Sequence, residues 1–382
     1  MRLITLVSAL AALHFPTATL AAETATAPRV LAHYGELVHA TYADAHAGAL
    51  ALQKAVDAFV AAPSEAGQQA ARKAWLAARE TYGQTEAFRF YGGPIDGEDG
   101  PEGRINAWPM DEAYVDFVEG AKDAGIIANR TIPIDMDTLS GLNEKDGEEN
   151  ISTGWHAIEF MLWGQDLDDN GPGRRAYTDF VDGKAPNADR RRAYLKVTTD
   201  LLVKDLSDLA AAWAPGADNY RKGFVADAGN VAKVISALGI LSRGELAGER
   251  IEVALDSQNQ EDEHSCFSDN THRDVVANAT GIRNVWRGQY VRADGSVLKG
   301  PGVRDLVSAK NKAVASRVDA QIDTSVKAAE AIPAPFDRAI LVGTPGRSKV
   351  EATVVALKKQ TEGLVEAAAV LGIKRLNTVA PD

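Results

Sequence analysis

Along most of the chain, apolar residues recur every three or four positions, the period of a helix with one buried face. The first such stretch is Val30 to Ala62, with Leu52, Val56, Phe59 and Val60 on one side. Pro63 and Ser64 break it, and Ser64 is placed to cap a second helix running to about Phe90. That helix carries a mixed stripe of Trp75, Arg79, Tyr82, Glu86 and Arg89. Aromatic rings interleaved with a carboxylate and two guanidinium groups do not make a plain core face. Polar loops over residues 92–109 and 135–150 flank a short predicted helix from Asp111 to Gly120. Ser152 and Thr153 then offer N-caps for a helix over Gly154–Trp163, which is apolar almost all round and is therefore predicted to be buried. Asp166 to Gly173 ends it.

Pro186 and Asn187 mark the predicted domain boundary. Beyond it, Leu195, Leu202, Leu206, Leu209 and Trp213 recur at helical spacing in an amphipathic helix over Ala188–Trp213. Asn219 to about Gln258 reads as mostly helical, with Gly239, Gly244 and Gly248 as kinks or points of close approach. A polar turn at Asp262–Asp269 precedes a helix to Gly288. Tyr290–Leu298 alternates around Asp294-Gly295 and is a hairpin candidate. Helices near Asp305–Ala331 and Lys349–Leu371 close the chain. Long helices joined by turns predict an all-α protein of two helical-bundle domains, residues 28–185 and 186–380, with one minor β-hairpin.

Composition narrows the function. A chain of 382 residues with 45% hydrophobic content can fill one or two sizeable cores. The net charge of -12 repels phosphate backbones, which argues against nucleic-acid binding. Arg2, the apolar run Leu3–Leu13 and the small residues of Thr19–Ala25 read as a signal peptide over residues 1–22, cut after Ala21 or Ala22. The expected location is the periplasm. No cysteine lies near the cleavage region to carry a lipid, and no later apolar run is long enough for a transmembrane segment. The single cysteine, Cys266, excludes an internal disulfide and a C-x-x-C zinc site.

The sharpest chemical feature is His156 with Glu159, three residues apart on one face of an apolar helix. Burying such a pair is costly unless something satisfies it. A cation bridging imidazole and carboxylate would do so, and so would a direct hydrogen bond within a core. The pair alone leaves both readings open. Glu86 is the candidate third ligand, against a salt bridge to Arg79 or Arg89. Glu245, Glu249, Glu252 and Asp256 form an acidic stripe expected to face solvent. Asp262 and His264 could reach a metal, with His272 further on; the alternative is a polar turn capped by Ser268, Asp269 or Asn270. Glu36 and His39 form an E-x-x-H pair of the kind found in di-iron bundles, but the His156 pair runs in reverse order. There is no H-E-x-x-H, Phe160 spoils H-x-x-E-H, and neither a G-x-S-x-G elbow nor a P-loop is present.

At these residues the chain resembles the imelysin-like family. Gly154–Glu159 fits its G-x-H-x-x-E motif. Gln84–Pro94, His156–Asp166 and Ser242–His272 match more closely its iron-regulated protein A branch, and the resemblance spans essentially the whole mature chain. It implies a functional site between two helical halves, with His156 and Glu159 at the centre and Glu86 beside them. Arg89, Asp262 and His264 are carried over to the same site. The resemblance also implies a periplasmic or cell-surface protein linked to iron supply. The expected ligand is iron, as Fe2+ or Fe3+, with zinc or another divalent metal as the alternative occupant. Arg89 would balance excess negative charge or hold an anion, and a membrane iron-transport component is the expected partner. The rival readings are a metallopeptidase using the same site and a receptor for a peptide, haem or siderophore. In the receptor reading, Trp75, Tyr82 and Trp163 would line an interdomain cleft.

Overall fold

The computed structural model describes residues 25–168, 171–376 and 378. The expected signal peptide at 1–22 and the expected domain end at 380 lie outside these residues. Helix α1 (Ala27–Ala61) packs along α2 (Glu65–Thr85) and α4 (Ala188–Ala212), and α3 (Gly154–Trp163) packs on both α2 and α4. Thus α4, which follows Pro186, lies among the N-terminal helices. After it come α5 (Val231–Ile240), a π-helical segment (Leu241–Glu252) and α6 (Val253–Ser257). The remaining long helices are α7 (Thr271–Arg287), α8 (Val303–Lys310), α9 (Lys312–Glu330) and α10 (Arg347–Leu371). Helix α10 packs against α9 and the π-helical segment, while α7 touches both α9 and α2 and so joins the two ends of the molecule. One continuous apolar core runs through all of this. Among the described residues, no single helix is long and apolar enough to cross a membrane.

Local chemistry explains where the elements begin and end. The Ser64 hydroxyl accepts the Gly67 N–H at 3.2 Å and starts α2. Asn311 splits the helix expected over 305–331, because its side chain accepts the Val314 N–H at 3.2 Å and restarts the chain as α9. Asp135 caps a helix at Met136–Leu142, where the polar composition predicts a loop. Asp111 starts a helix that lasts only through Glu112–Val115, shorter than expected. The hairpin forms as expected, with Tyr290 paired to Leu298 across strands Gln289–Val291 and Val297–Lys299.

A buried ion triad ties the middle of the chain to α4. Asp116 accepts from Arg175 at 2.5 Å and from Arg191 at 2.7 and 3.0 Å. The two guanidinium groups hold the Asp116 carboxyl below its ordinary range despite its burial. Its contribution to stability is therefore complete above about pH 4 and fades as pH falls through the depressed value. Asp116→Asn should lower stability at pH 7, and the gap from wild type should narrow in acid. Urea unfolding at pH 7 and pH 3.5 checks this; a gap that stays constant would remove the charge from the explanation.

Candidate metal centre

Helix α3 owes its placement to a glycine. Gly154 has φ +85°, and a Cβ there would lie 2.4 Å from the Ile105 carbonyl oxygen and 2.6 Å from that of Arg104. Only glycine allows α3 to start so close to that backbone. Gly164, at φ +75°, ends the helix, and every residue between them is buried.

His156 Nδ1 lies 3.0 Å from Glu159 Oε2. The other Glu159 oxygen accepts both the backbone N–H and the hydroxyl of Ser268, at 2.9 and 2.6 Å. Both oxygens of Glu159 are thus engaged, and the carboxyl group orients the imidazole while leaving His156 Nε2 without a partner among the described residues. His264 repeats the arrangement. Its Nδ1 lies 3.0 Å from Asp274 Oδ2, its Nε2 is buried and unpartnered, and its ring centroid is 4.8 Å from that of His156. A carboxylate behind one ring nitrogen, with the other nitrogen left free, is the usual support for a metal-binding histidine.

Glu86 adds a third open atom. Its Oε2 is held by Arg250 at 2.7 Å and Arg89 at 2.8 Å, while Oε1 is buried with no partner. The salt bridge anticipated for Glu86 therefore exists, with Arg250 in the place proposed for Arg79. Arg89 also reaches Glu102 at 3.0 Å and Glu245 at 3.6 Å, so it balances negative charge. The π-helical segment makes this network possible. Its wider turn brings Glu245 and Arg250, five residues apart, to 2.7 Å. The acidic stripe expected to face solvent is broken there, because Glu245 turns inward to the arginines.

Arg79 faces Asp274, with contacts of 3.1 and 3.2 Å. It also donates to Asn106 at 2.7 Å and stacks over the rings of Trp75, Tyr82 and Trp155 at 5.4–5.7 Å. The mixed stripe of α2 is thereby accounted for. Trp75 and Tyr82 are core residues that box a buried cation, rather than the lining of a cleft.

Burial and the neighbouring arginines set the charge state of each group. Burial, then Arg250 and Arg79, push His264 down to about 4. Burial, His264 and Arg79 push His156 well below its ordinary value. Both rings are therefore neutral at pH 7, as ligation requires. Arg250 and Arg89 outweigh burial at Glu86 and hold it ionised, at about 2. Burial raises Glu159 to about 8, against the pull of Ser268.

Two sequence candidates stand elsewhere. Asp262 lies half-exposed in the turn Gln260–Asp262, and its side chain makes no hydrogen bond or ion pair among the described residues. The chain becomes extended at Glu263, so Glu263 and His264 take the buried places instead. His39 is half-buried on α1, near Arg221 and Arg292. Glu36 bonds His33 at 3.2 Å, so the E-x-x-H pair does not form. Asp274 and Arg250 are not among the sequence candidates, and Ser268, a cap candidate there, instead donates to Glu159. The available signal was polar residues on a buried helical face, since Asp274 and Asn278 lie one turn apart on α7.

Comparison with known proteins gives consistent results. A protein-family model described as Imelysin matches residues 38–364. Iron-regulated protein A of Synechococcus elongatus is 29% identical over 313 residues, which cover 79% of this chain and 74% of that protein. The crystal structure of a candidate iron-regulated protein A precursor from Parabacteroides distasonis superposes with a TM-score of 0.71. The alignment covers 91% of this chain and 96% of that one at 22% identity, a likeness of fold.

Proposed function

The chain belongs to the imelysin family, and from that premise we propose that it is a periplasmic iron-binding protein that takes up the ion as cargo between His156, His264 and Glu86. The observation that carries this reading is the set of buried, unpartnered atoms His156 Nε2, His264 Nε2 and Glu86 Oε1. Two imidazoles and one carboxylate suit iron among the divalent metals, with zinc as the competing occupant. Glu159 and Asp274 act as positioning residues, each fixing a ring through Nδ1. The name of the Synechococcus relative ties that protein to iron regulation, which supports the same general role here.

The three open atoms are not drawn together to within 4.8 Å of one another; among the described residues only Glu263, Asp269 and Asp337 meet that spacing. The site is also sealed, with His156 and Glu159 no more than 1% exposed. Uptake therefore requires a local opening, and closure onto the ion gathers the ligands. The metallopeptidase reading stands second, because both oxygens of Glu159 are already engaged, by His156 and Ser268, and a base to activate water must come from elsewhere. A membrane iron-transport component is the fitting recipient, since the cargo must be passed on.

Iron titration of the mature protein tests the proposal, beside a His156→Ala/Glu159→Ala double variant and His264→Ala. Wild type should bind iron stoichiometrically, and each variant should lose at least tenfold in affinity while keeping its helical signal. Equal binding by wild type and variants would reduce both His–carboxylate pairs to core hydrogen bonds. Cleavage of an unfolded protein by wild type, lost in the same variants, would favour the peptidase.

A further inference from the structure

A second group of potential ligands lies just beyond the histidines. Glu263, Asp269 and Asp337 each place a carboxylate oxygen within 4.8 Å of the other two. Any two oxygens at that separation can share one ion at a calcium–oxygen distance of about 2.4 Å, and a small contraction of the group brings in the third. Glu263 is fully buried, at 0% exposure, and neither of its oxygens makes a hydrogen bond among the described residues. The Thr271 hydroxyl is near enough to ease its charge but falls outside bonding geometry, and its oxygen accepts the Ser265 N–H at 2.8 Å. One oxygen of Asp269 is likewise buried without a partner. A buried carboxylate with two empty acceptors needs either a proton or a cation.

Asp166 adds a fourth negative group, since it acts on Asp269 and is itself raised by Asp337. A surface groove of about 410 Å³, lined in part by Gln260, Glu261 and Arg338, reaches the cluster at Asp166 and Asp337. Burial and mutual repulsion push Asp269 to about 7 and Asp166 to about 6. A cation among them would remove both penalties.

We propose that Glu263, Asp269 and Asp337, with Asp166 at the groove, form a second metal site for a hard, oxygen-preferring divalent cation of the calcium class. The ligands are all carboxylate, which disfavours the softer metals suited to imidazole. The site joins three separate segments: the loop after α3, the turn before α7 and the short helix Phe336–Ile340. Glu263 is extended, at φ -93° and ψ 147°, so it and His264 project to opposite sides of the turn. An ion on the Glu263 side therefore anchors the segment that presents His264 and Ser268 to the histidine site.

The test uses the mature chain stripped with EDTA and titrated with Ca2+ by calorimetry, with the melting temperature followed in parallel. Wild type should bind one Ca2+ per chain and melt a few degrees higher in saturating Ca2+. Glu263→Gln should lose both responses, whereas His156→Ala should keep them, whatever the fate of iron binding. If Glu263→Gln fails to fold, Asp337→Asn at the groove should show the same two losses. No heat and no melting shift in wild type, or an unchanged response in the folded carboxamide variants, would overturn the proposal. The cluster would then be a set of shared protons.

Discussion

Arg79→Met is expected to remove about 3–5 kcal/mol of stability, the cost of leaving a buried charge without its partner. Arg79 is 1% exposed and is the guanidinium that faces Asp274 inside the core. Without it, Asp274 keeps, among the described residues, His264, Ser265 and Asn270 as neighbours that can donate to it. Methionine fills much of the space between Trp75, Tyr82 and Trp155, so the loss isolates the charge from the packing. Arg79→Met/Asp274→Asn should recover part of the stability, because both ends of the pair then go together. Chemical denaturation of the two variants and wild type decides it. If the double variant is no more stable than the single, the cost lies in the aromatic box rather than in the ion pair. The prediction bears on function as well, since Asp274 also orients His264.

The second large effect is expected at Gly154. Gly154→Ala places a Cβ at a backbone angle that costs about 1–3 kcal/mol for a residue with a side chain. It also drives that Cβ into two backbone carbonyls, at 2.4 and 2.6 Å, which cannot rotate away as side chains can. Either the protein loses well over about 2 kcal/mol or α3 shifts outward, carrying His156 and Glu159 with it. Iron binding should therefore fall even in the fraction that folds. Gly141→Ala is the control, because that glycine lies in the helix Met136–Leu142 with open space around its Cβ position. Its melting temperature should match wild type or exceed it slightly. A Gly154→Ala protein as stable as the control, with iron binding intact, would show that the glycine of the G-x-H-x-x-E motif is dispensable.

The helices were legible because the signals that specify them are local. Repeats such as Leu52, Val56 and Phe59 report a buried face directly, and Ser64 announces a start. Pattern and structure part where a single side chain interrupts a good repeat, as Asn311 does, or caps a weak one, as Asp135 does. The π-helical stretch was harder still. Gly239, Gly244 and Gly248 signalled a disturbance, but nothing local says that the turn widens until Glu245 meets Arg250.

His156 and Glu159 could be paired from sequence because three residues along a helix always share a face. The sequence by itself thus determined an all-α chain, a buried α3 with a His–Glu pair on it, and the family to which those residues point. Only the tertiary structure decided what surrounds them. Glu159 meets Ser268 across 109 residues, Glu86 meets Arg250 across 164, and Arg79 meets Asp274 across 195. Such partners are chosen by how α2, α3, the π-helical segment and α7 pack, and helical periodicity specifies a face but not what will lie opposite it. The same holds in the turn before α7. Asp262, Glu263 and His264 look interchangeable as a string, yet only packing exposes the first, buries the second beside Asp269 and Asp337, and sets the third against His156.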